Sequence, residues 1–213
     1  IEMLQGHPWF RIEALAASER SIGIKYGHLA KWRLPIPIPE DVRDLEVLPV
    51  DPKAIDNVDV VYSALPAEEA GKIEEEFAEE GFMVFSNASS HRMDENVPIL
   101  NPEVNCEHAR MVDEQRKRRG WSGAIVTNPN CTTAILTLSL KPLHKEFGIR
   151  RVLVSTMQAL SGAGYPGVPS LDISDNVIPF IKNEEEKVQN ETLKIMGGPV
   201  SYTHLTLPTK RIV

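Results

Sequence analysis

The stretch VDVVYSALPAEEAGKIEEEFAEEGFMVF, residues 58–85, decides the fold. It opens with the buried-strand pattern of residues 58–62, and Pro66 followed by two acidic residues predicts a helix start. Apolar residues then share one helix face until Gly81 ends the helix, and residues 82–85 form a second strand pattern. The residues of that helix face are Ala70, Ile73, Phe77 and Ala78. A strand, a helix and a strand in this order make a βαβ unit, which predicts parallel strands covered by helices.

Strand and helix patterns alternate along the rest of the chain as well. The prolines at positions 35, 37 and 39 predict an extended or irregular stretch. A helix is predicted at residues 132–147, with a kink at Pro142. Further strands are predicted at residues 12–17, 45–50, 124–127 and 151–158. The fold class is therefore α/β.

Composition limits the class of protein. The chain has 213 residues and a net charge of −7, and this acidic balance argues against a nucleic-acid partner. Its two cysteines cannot form a disulfide framework, which favours a reducing compartment. No apolar stretch predicts a membrane span or a secretion signal. We therefore expect a cytoplasmic protein with neither nucleic-acid nor membrane partners.

A cysteine follows a tight turn at the end of one predicted strand. In Thr127-Asn128-Pro129-Asn130-Cys131-Thr132-Thr133, the strand runs into the Asn-Pro-Asn turn and the thiol of Cys131 lies at the first turn of the next helix. Free N–H groups and the positive end of a helix dipole favour a thiolate there, which is what a nucleophilic cysteine needs. Ligands also gather at the carboxyl ends of strands in α/β folds. The spacing alone leaves two alternatives open, a nucleophile and a buried core cysteine.

Further motifs around this cysteine give the chain a family resemblance. The turn at 130–133 is followed by Gln158-Ala159-Leu160-Ser161-Gly162-Ala163-Gly164-Tyr165-Pro166-Gly167. More motifs lie at residues 18–21, 63–66, 86–93, 178–181 and 184–187, with Glu191 and Lys194 beyond. In this order they resemble the aspartate-β-semialdehyde dehydrogenases of archaeal and fungal type, over residues 1 to about 198. The resemblance implies a Rossmann-type parallel-sheet cofactor domain at residues 1–130 and the start of an α+β catalytic and dimerisation domain at 131–199.

The resemblance implies a cysteine mechanism. In the family, a cysteine matched here by Cys131 forms a thioester with the substrate, and hydride is exchanged with the nicotinamide of NADP. Gln158 matches the glutamine that orients the substrate, although taken alone it fits better a strand-end residue bonded to backbone. The implied function is NADP-dependent reductive dephosphorylation of aspartyl phosphate to aspartate semialdehyde, in the biosynthesis of lysine, threonine and methionine.

Charged residues match the family's substrate-binding positions. Arg92 matches an arginine that holds phosphate with its planar donors, and Asn130 and Lys187 match further ligands of that anion. Glu184 matches the carboxylate that pairs with the α-ammonium group of the substrate, whereas the two glutamates after it are expected to be solvated. Taken alone, Arg92 and Lys187 would be interpreted as solvated surface charges.

Three groups of residues match the family's NADP site. The first follows a strand, where hydroxyls and an arginine suit a 2′-phosphate and therefore NADP, although Glu19 weakens this argument. The other two groups match the loop under the cofactor and a turn near the nicotinamide, and the latter also fits an ordinary turn. The groups are Ser18, Arg20 and Ser21; Ser63, Leu65 and Pro66; and Ser161, Gly162 and Gly164.

Other candidate residues support weaker hypotheses. Cys106-Glu107-His108 has too few ligands for a tetrahedral metal site, so we expect no metal and a free thiol in a loop. The basic run at residues 116–119 is expected to be a solvated helix end. Residues 165–168 and the apolar side chains near Ile178 and Phe180 are expected to help form the subunit interface of a homodimer or homotetramer.

The family pattern also extends beyond this chain. Its Gly-x-x-Gly-x-x-Gly loop, which receives the cofactor pyrophosphate, would precede residue 1. Its acid/base histidine and second substrate arginine would follow the matched region, so we expect a truncated chain with little or no turnover. Residues 200–213 resemble translated adapter DNA, and we expect the sequence from about residue 199 not to be native.

Two alternatives to the implied function stay open. An archaeal-type malonyl-CoA reductase shares the scaffold and the cysteine chemistry, but it does not need Glu184 to meet an ammonium group. A non-catalytic nucleotide-binding or assembly protein would use Cys131 only as a structural residue. Thiol alkylation separates this second alternative from an enzyme, because a catalytic Cys131 is expected to react faster than Cys106.

Overall fold

The computed structural model describes residues 1–179 and 181–198. They form two compact units, each made of two chain segments. Unit 1 contains Ile1–Ser90 and Asp113–Ile125, and unit 2 contains His91–Val112 and the described chain from Val126 onward. No helix within the described residues is long and apolar enough to cross a membrane. Phe180 and the tail 200–213, for which the sequence makes predictions, lie outside the described residues.

Unit 1 begins with a small parallel sheet. β1 (Leu15–Ala17) pairs with β2 (Val47–Pro49), and both strands are shorter than the sequence predicts. Between them lie two short helices, α1 (Tyr26–Leu29) and α2 (Glu40–Arg43). The proline-rich stretch between these helices is irregular, as predicted, because each proline lacks a backbone N–H.

The βαβ unit predicted for residues 58–85 is confirmed. β3 (Val60–Ser63) and β4 (Met83–Ser86) run parallel, with Val60 opposite Met83, and α3 (Ala67–Glu79) connects them. β5 (Ala124–Thr127) is the third strand of this sheet, in the order β3-β4-β5. The buried face of α3 contains three of the predicted apolar residues, and Glu74 is buried with them.

Helix α5 (Met111–Arg119) supports β5 through a side chain. Gln115 Oε1 accepts a hydrogen bond from the N–H of Ile125 at 2.7 Å, and Gln115 Nε2 donates to the Ile125 carbonyl at 2.9 Å. The expectation of a solvated basic helix end is wrong for two residues. Arg116 donates to the Gly123 carbonyl at 3.2 Å, and Arg119 pairs with Glu75 at 2.5 Å. The short connection to β5 and the neighbouring α3 offer these arginines acceptors that a free helix end would lack.

Unit 2 is mostly helical. Its helices are α4 (Pro102–Asn105), α6 (Cys131–Phe147), α7 (Ser170–Ile173) and α8 (Glu184–Met196). Helix α6 begins one residue before the predicted range and continues through Pro142. An apolar core joins Ile99 and Val104 to Ile195 of α8. The short 3-10 helices of the described chain are Glu2–Leu4, Glu19–Ser21, Pro52–Ala54, Cys106–Arg110 and Leu160–Ala163.

The prediction of a strand at residues 151–158 is wrong. Within the described residues this segment pairs with no strand, and Leu153 and Met157 are 89% and 96% exposed. Its β-branched composition is typical of a strand, but a strand also needs the backbone of a neighbour to accept and donate hydrogen bonds. Composition alone therefore overestimated the secondary structure here.

Candidate functional site

Asn130 and Cys131 form the start of α6. The Asn130 side-chain oxygen accepts hydrogen bonds from the N–H groups of Thr132 (2.9 Å) and Thr133 (3.2 Å), which makes Asn130 the N-cap of the helix. Cys131 is the first helical residue, and it is exposed. The turn-to-helix position predicted for Cys131 is confirmed. Its exposure does not fit the alternative of a buried core cysteine.

The carboxylate of Glu184 gathers three side chains around this helix start. Asn130 Nδ2 donates to both of its oxygens, at 3.0 and 3.2 Å. Thr132 Oγ1 and Gln158 Nε2 donate to Glu184 Oε1, at 3.0 and 2.5 Å, and Gln158 Nε2 also donates to Thr132 Oγ1 at 2.9 Å. Glu184 is half-buried, whereas the two glutamates after it are exposed, as the sequence predicts. The structure therefore brings Asn130, Gln158 and Glu184 together at the residues that flank Cys131.

Glu191 lies on the same face of α8 as Glu184, two turns further along the helix, and it connects two other parts of unit 2. Its side chain is almost fully buried, with the residue 2% exposed. Glu191 Oε1 accepts from Arg92 Nη1 at 3.0 Å, and Glu191 Oε2 accepts from the backbone N–H of Asn130 at 2.6 Å. Arg92 is buried as well, so the two opposite charges compensate each other away from water. Arg92 is therefore not the solvated surface charge that it would be interpreted as when taken alone.

Lys194 holds the chain segment that carries Arg92. Its Nζ donates to the carbonyl oxygens of Arg92 (2.6 Å), Asp94 (2.7 Å) and Val97 (2.7 Å), and the residue is 5% exposed. Burial lowers the pKa of Lys194 from its ordinary 10.5 to about 8, although the carboxylates of Asp94 and Glu191 act in the opposite direction. Three carbonyl acceptors match the three donors of an ammonium group.

The sequence places Glu191 and Lys194 on the face of α8 that carries Glu184. Positions 184, 187, 191 and 194 recur at the helical period, so their side chains share one face of α8. Lys187 lies on this face and is half-buried. The buried face of a helix is usually recognised by apolar residues at the helical period. A buried face made of charged residues is not recognised in this way. The contacts of Thr132 are not apparent from the sequence either, because they join it to Gln158 and Glu184, which are far away in the chain.

One segment that follows Gln158 forms the turn that the sequence predicts. Ser161 and Gly162 lie in the 3-10 helix Leu160–Ala163, and Gly164 ends it with a φ of +71°, which glycine adopts without strain. These residues are exposed. The turn is thus open for a ligand to approach its backbone.

The candidate cofactor residues of unit 1 lie after the ends of strands. Ser18 directly follows β1 and Arg20 lies in the 3-10 helix Glu19–Ser21, and both are exposed, while Ser21 is half-buried. Pro66 precedes α3 as its N-cap residue and is exposed, and Leu65 is half-buried. These positions at the carboxyl ends of strands are typical of nucleotide sites in α/β folds.

Ser63 differs from the other cofactor candidates. Its hydroxyl donates to Glu74 Oε1 at 2.5 Å, and Ser86 Oγ donates to the same oxygen at 2.6 Å. Glu74 is 1% exposed, so the Ser63 hydroxyl points into the interior of unit 1. The sequence prediction did not anticipate this contact, because Glu74 lies on the following helix.

The Cys106-Glu107-His108 segment is structural in part. Cys106 begins a 3-10 helix instead of lying in a loop, and its thiol is exposed. His108 is fully buried, and its two ring nitrogens lie 3.1 Å from Asn105 Nδ2 and 2.9 Å from the Gly197 carbonyl. Burial lowers the pKa of His108. Both nitrogens thus have protein partners within unit 2.

Chemically, unit 2 combines an exposed thiol at a helix N-terminus with an oriented carboxylate and a buried arginine. The thiol can act as a nucleophile, and the amide of Gln158 and the hydroxyl of Thr132 can orient a polar ligand. Arg92 and Lys187 provide positive charge in the same unit.

Comparisons with known proteins agree on one family. The family model "Semialdehyde dehydrogenase, NAD binding domain" matches residues 1–112, and "Semialdehyde dehydrogenase, dimerisation domain" matches residues 140–209. An aspartate-semialdehyde dehydrogenase of Archaeoglobus fulgidus is 57% identical over 197 residues, which are 92% of this chain and 57% of that protein. A malonyl CoA reductase (NADP) of Metallosphaera sedula is 43% identical over 92% of this chain and 55% of its own length.

A solved structure gives the same result for the fold. The crystal structure of aspartate semialdehyde dehydrogenase with NADP from Candida albicans has a TM-score of 0.77 and 40% sequence identity. The match covers 92% of this chain and 56% of the Candida chain. The chain thus spans a little over half the length of the relatives it matches.

Proposed function

The chain belongs to the semialdehyde dehydrogenase family, and from this membership we propose that the protein reduces aspartyl phosphate to aspartate semialdehyde with NADP as its cofactor. The reaction serves lysine, threonine and methionine biosynthesis, and it runs in reverse as a phosphorylating oxidation. One observation carries the proposal: the Glu184 carboxylate is held by Asn130 and Thr132, the two residues that flank Cys131. A fixed carboxylate beside the nucleophile suits a substrate with an α-ammonium group.

Cys131 forms and breaks the covalent bond in this reaction. Its thiolate attacks the acyl carbon of aspartyl phosphate, a C–S bond forms, and the bond from that carbon to the phosphate oxygen breaks. Inorganic phosphate leaves and a thioester remains on Cys131. When bound, the reduced cofactor NADPH would supply the hydride that reduces the thioester carbon, and NADP⁺ would accept a hydride in the reverse direction. The C–S bond then breaks, its electron pair returns to the Cys131 sulfur, and aspartate semialdehyde leaves.

Gln158 and Glu184 hold the amino-acid part of the substrate. The Glu184 carboxylate accepts the α-ammonium group, and Gln158 is bonded to it at 2.5 Å, so its amide is oriented before the substrate arrives. Thr132 joins the two and limits their rotation. An uncharged amide suits this position, because it orients a polar group without competing with the charge of the thiolate.

Arg92, Asn130 and Lys187 are proposed as the phosphate ligands. Arg92 and Asn130 are held through the same carboxylate, that of Glu191, which supports a common binding region. Lys187 follows Glu184 by one helical turn on α8 and is half-buried. A guanidinium and an ammonium group together offset the charge of an acyl phosphate or of free phosphate.

The residues of unit 1 fit one end of NADP. Ser18 and Arg20 are exposed after β1, where hydroxyl and guanidinium donors suit a 2′-phosphate. Leu65 and Pro66 offer an apolar surface before α3. The Ser63 hydroxyl is bonded to Glu74, so Ser63 contributes through the shape of its loop and not through a hydroxyl contact. Ser161, Gly162 and Gly164 form the exposed turn that fits the nicotinamide end in unit 2.

We also propose a homodimer or homotetramer in the cytoplasm. The dimerisation-domain match at residues 140–209 supports self-association. Several apolar side chains of this region are exposed, as expected for an interface, including Tyr165, Leu171 and Ile178. Light scattering after size-exclusion chromatography measures the assembly, and a monomer would contradict this part of the proposal.

The test uses the complete gene product that carries this sequence. NADP reduction is measured with aspartate semialdehyde, with and without inorganic phosphate, and strict dependence on phosphate is expected. Cys131→Ser is expected to lower kcat by about 10⁴-fold, because the reaction loses its nucleophile. Cys106→Ser is the matched control and is expected to keep full activity.

Two outcomes would replace the proposal. Turnover with malonyl-CoA but not with aspartate semialdehyde would assign the protein to the reductases represented by the Metallosphaera relative. Equal, slow alkylation of Cys131 and Cys106 would favour a non-catalytic nucleotide-binding or assembly protein.

A further inference from the structure

One buried residue of α8 connects parts of the site that the proposed chemistry treats as separate. We propose that Glu191 is a positioning residue, which fixes the phosphate ligand Arg92 relative to the start of the helix that carries Cys131. The inference rests on the proposed function, since Arg92 and Cys131 have their chemical roles only there. Glu191 itself touches neither substrate nor cofactor in this scheme.

The geometry gives each oxygen of Glu191 a different task. Oε1 accepts from Arg92 Nη1 at 3.0 Å, and Oε2 accepts from the backbone N–H of Asn130 at 2.6 Å. Asn130 precedes Cys131 and caps α6, so the second contact fixes the backbone one residue before the nucleophile. A single carboxylate thereby links the anion ligand to the helix start.

Both partners of Glu191 are donors, and this requires a carboxylate. A guanidinium and a backbone N–H have no acceptor to offer, and an ionised carboxylate has acceptors on both oxygens. A glutamine in the same place can accept with its one oxygen, while its NH₂ group would face the second donor. Glu191→Gln therefore keeps the size of the side chain and breaks one of the two contacts.

The rest of α8 makes Glu191 a rigid anchor. Lys194, on the next turn, binds the carbonyls of Arg92, Asp94 and Val97, so the segment that carries Arg92 is attached to the same helix. Two turns earlier on the same face, Glu184 accepts from Asn130 Nδ2. Arg92 and Cys131 are thus both positioned from one side of α8, and Glu191 is the residue common to them.

The first experiment measures alkylation of the two cysteines in this chain, with Glu191→Gln compared with Glu185→Gln, which makes the same chemical change on the exposed face of α8. Glu191→Gln is expected to slow iodoacetamide labelling of Cys131 relative to Cys106 by about threefold, since the helix N-terminus that favours the reactive anion loses its fixed position. Glu185→Gln is expected to leave the ratio unchanged. Because Cys106 lies in the same unit, general loosening would accelerate both thiols and is recognised as such.

The second experiment measures kinetics of the complete gene product. Glu191→Gln is expected to raise KM for inorganic phosphate about tenfold with little change in KM for aspartate semialdehyde, because Arg92 is the proposed phosphate ligand, whereas Gln158 and Glu184, which are proposed to hold the amino-acid part of the substrate, do not contact each other through Glu191. If the glutamine variant does not fold, Glu191→Asp retains the charge but is too short for both donors, and the same split is expected.

The outcomes separate the inference from the proposed function. A Cys131 to Cys106 labelling ratio equal to that of the unaltered chain would overturn the role of Glu191, as would an equal rise of both KM values. A complete protein that reduces no NADP would overturn the proposed function, whereas the labelling ratio would still decide whether Glu191 positions Cys131.

Discussion

Two buried glutamates, Glu74 in unit 1 and Glu191 in unit 2, tie chain segments together with different partners. Glu74 accepts hydrogen bonds from two serine hydroxyls, which stand at the ends of β3 and β4. Glu191 accepts from a guanidinium group and from a backbone N–H. In each case a carboxylate on a helix accepts hydrogen bonds from two residues that lie at the end of a strand or in the chain that follows it.

The difference in partners determines what is lost when the carboxylate is removed. The serine hydroxyls are neutral and can be removed together with Glu74, so that neither hydroxyl is left buried without this acceptor. The guanidinium of Arg92 keeps its charge, and the backbone N–H of Asn130 cannot be deleted. Unit 2 therefore depends on its glutamate more strongly than unit 1 does on Glu74, and the predictions below test that difference.

The two units can be followed separately in one experiment. The three tryptophans of the sequence, Trp9, Trp32 and Trp121, lie in unit 1, and both cysteines lie in unit 2. Tryptophan emission during urea unfolding thus reports on unit 1. Hydrogen exchange of the α6 and α8 backbone amides at each urea concentration reports on unit 2, because both cysteine thiols are already exposed in the folded chain.

Glu191→Leu is expected to have the greatest effect on stability. The substitution removes the carboxylate that pairs with the buried Arg92 charge, so it is expected to lower the free energy of unfolding of unit 2 by about 3–5 kcal/mol. Hydrogen exchange of the α6 and α8 amides in urea measures this loss, and the tryptophan midpoint is expected to change much less. An equal shift of both probes would show that the two glutamates do not act in separate units.

Lys194→Met is expected to lower the free energy of unfolding of unit 2 by about 2–3 kcal/mol at neutral pH, because three carbonyls lose their donor. Its pH dependence is a second readout. Between pH 8 and 10.5 Lys194 is neutral in the folded chain and charged in the unfolded chain, so unfolding binds a proton.

The sign of this pH effect follows from the lowered pKa. Raising the pH from about 8 to 10.5 increases the contribution of Lys194 to the free energy of unfolding, by at most about 1.4 kcal/mol per pH unit. The Lys194→Met variant lacks this slope, so the difference between the two proteins isolates it from other titrating groups. Parallel pH profiles for the two proteins would contradict the lowered pKa.

The sequence predicted the fold where local periodicity and capping residues determine structure. Residues 58–85 alternate as a βαβ unit, and the Asn130 turn places Cys131 at a helix start, because both features depend on residues close together in the chain. Residues 151–158 have the composition of a strand but pair with none among the described residues. Pairing is a long-range property, so composition could not settle it.

The candidate site shows the same limit. Glu184 was singled out from the glutamates around it, but its contacts to Thr132 and Gln158 bridge distant segments and could not be deduced from spacing. Glu191 and Lys194 share a helical face with it, yet charged residues on a face are ordinarily interpreted as solvated. The family resemblance places Ser63 in the loop under the cofactor, and the contact of its hydroxyl with Glu74 could only be seen in three dimensions.

Glu74→Leu is expected to lower the free energy of unfolding of unit 1 by about 1–2 kcal/mol, since two buried hydroxyls lose their acceptor. Tryptophan emission during urea unfolding measures this loss of stability in unit 1. The triple variant with Ser63→Ala and Ser86→Ala is expected to recover part of the loss. The recovery is partial because Ser86 Oγ also accepts from the N–H of Ala88 at 3.1 Å. No recovery at all would mean that the hydroxyls are not what makes Glu74 important.

Asn130→Ala is expected to have the smallest effect on stability of the four substitutions of Glu191, Lys194, Glu74 and Asn130. It separates the side-chain contacts of Asn130 from its backbone contact. The variant removes the helix cap and the donor to Glu184, but it keeps the backbone N–H that binds Glu191. A loss of about 1 kcal/mol in the free energy of unfolding of unit 2 is expected, measured by hydrogen exchange of the α6 and α8 amides in urea. Asn130→Ser is the matched control, because serine caps the helix but cannot reproduce both contacts to Glu184. If Asn130→Ala cost as much as Glu191→Leu, the cap and not the buried ion pair would stabilise this part of unit 2, and the contrast with Glu74 would lose its basis.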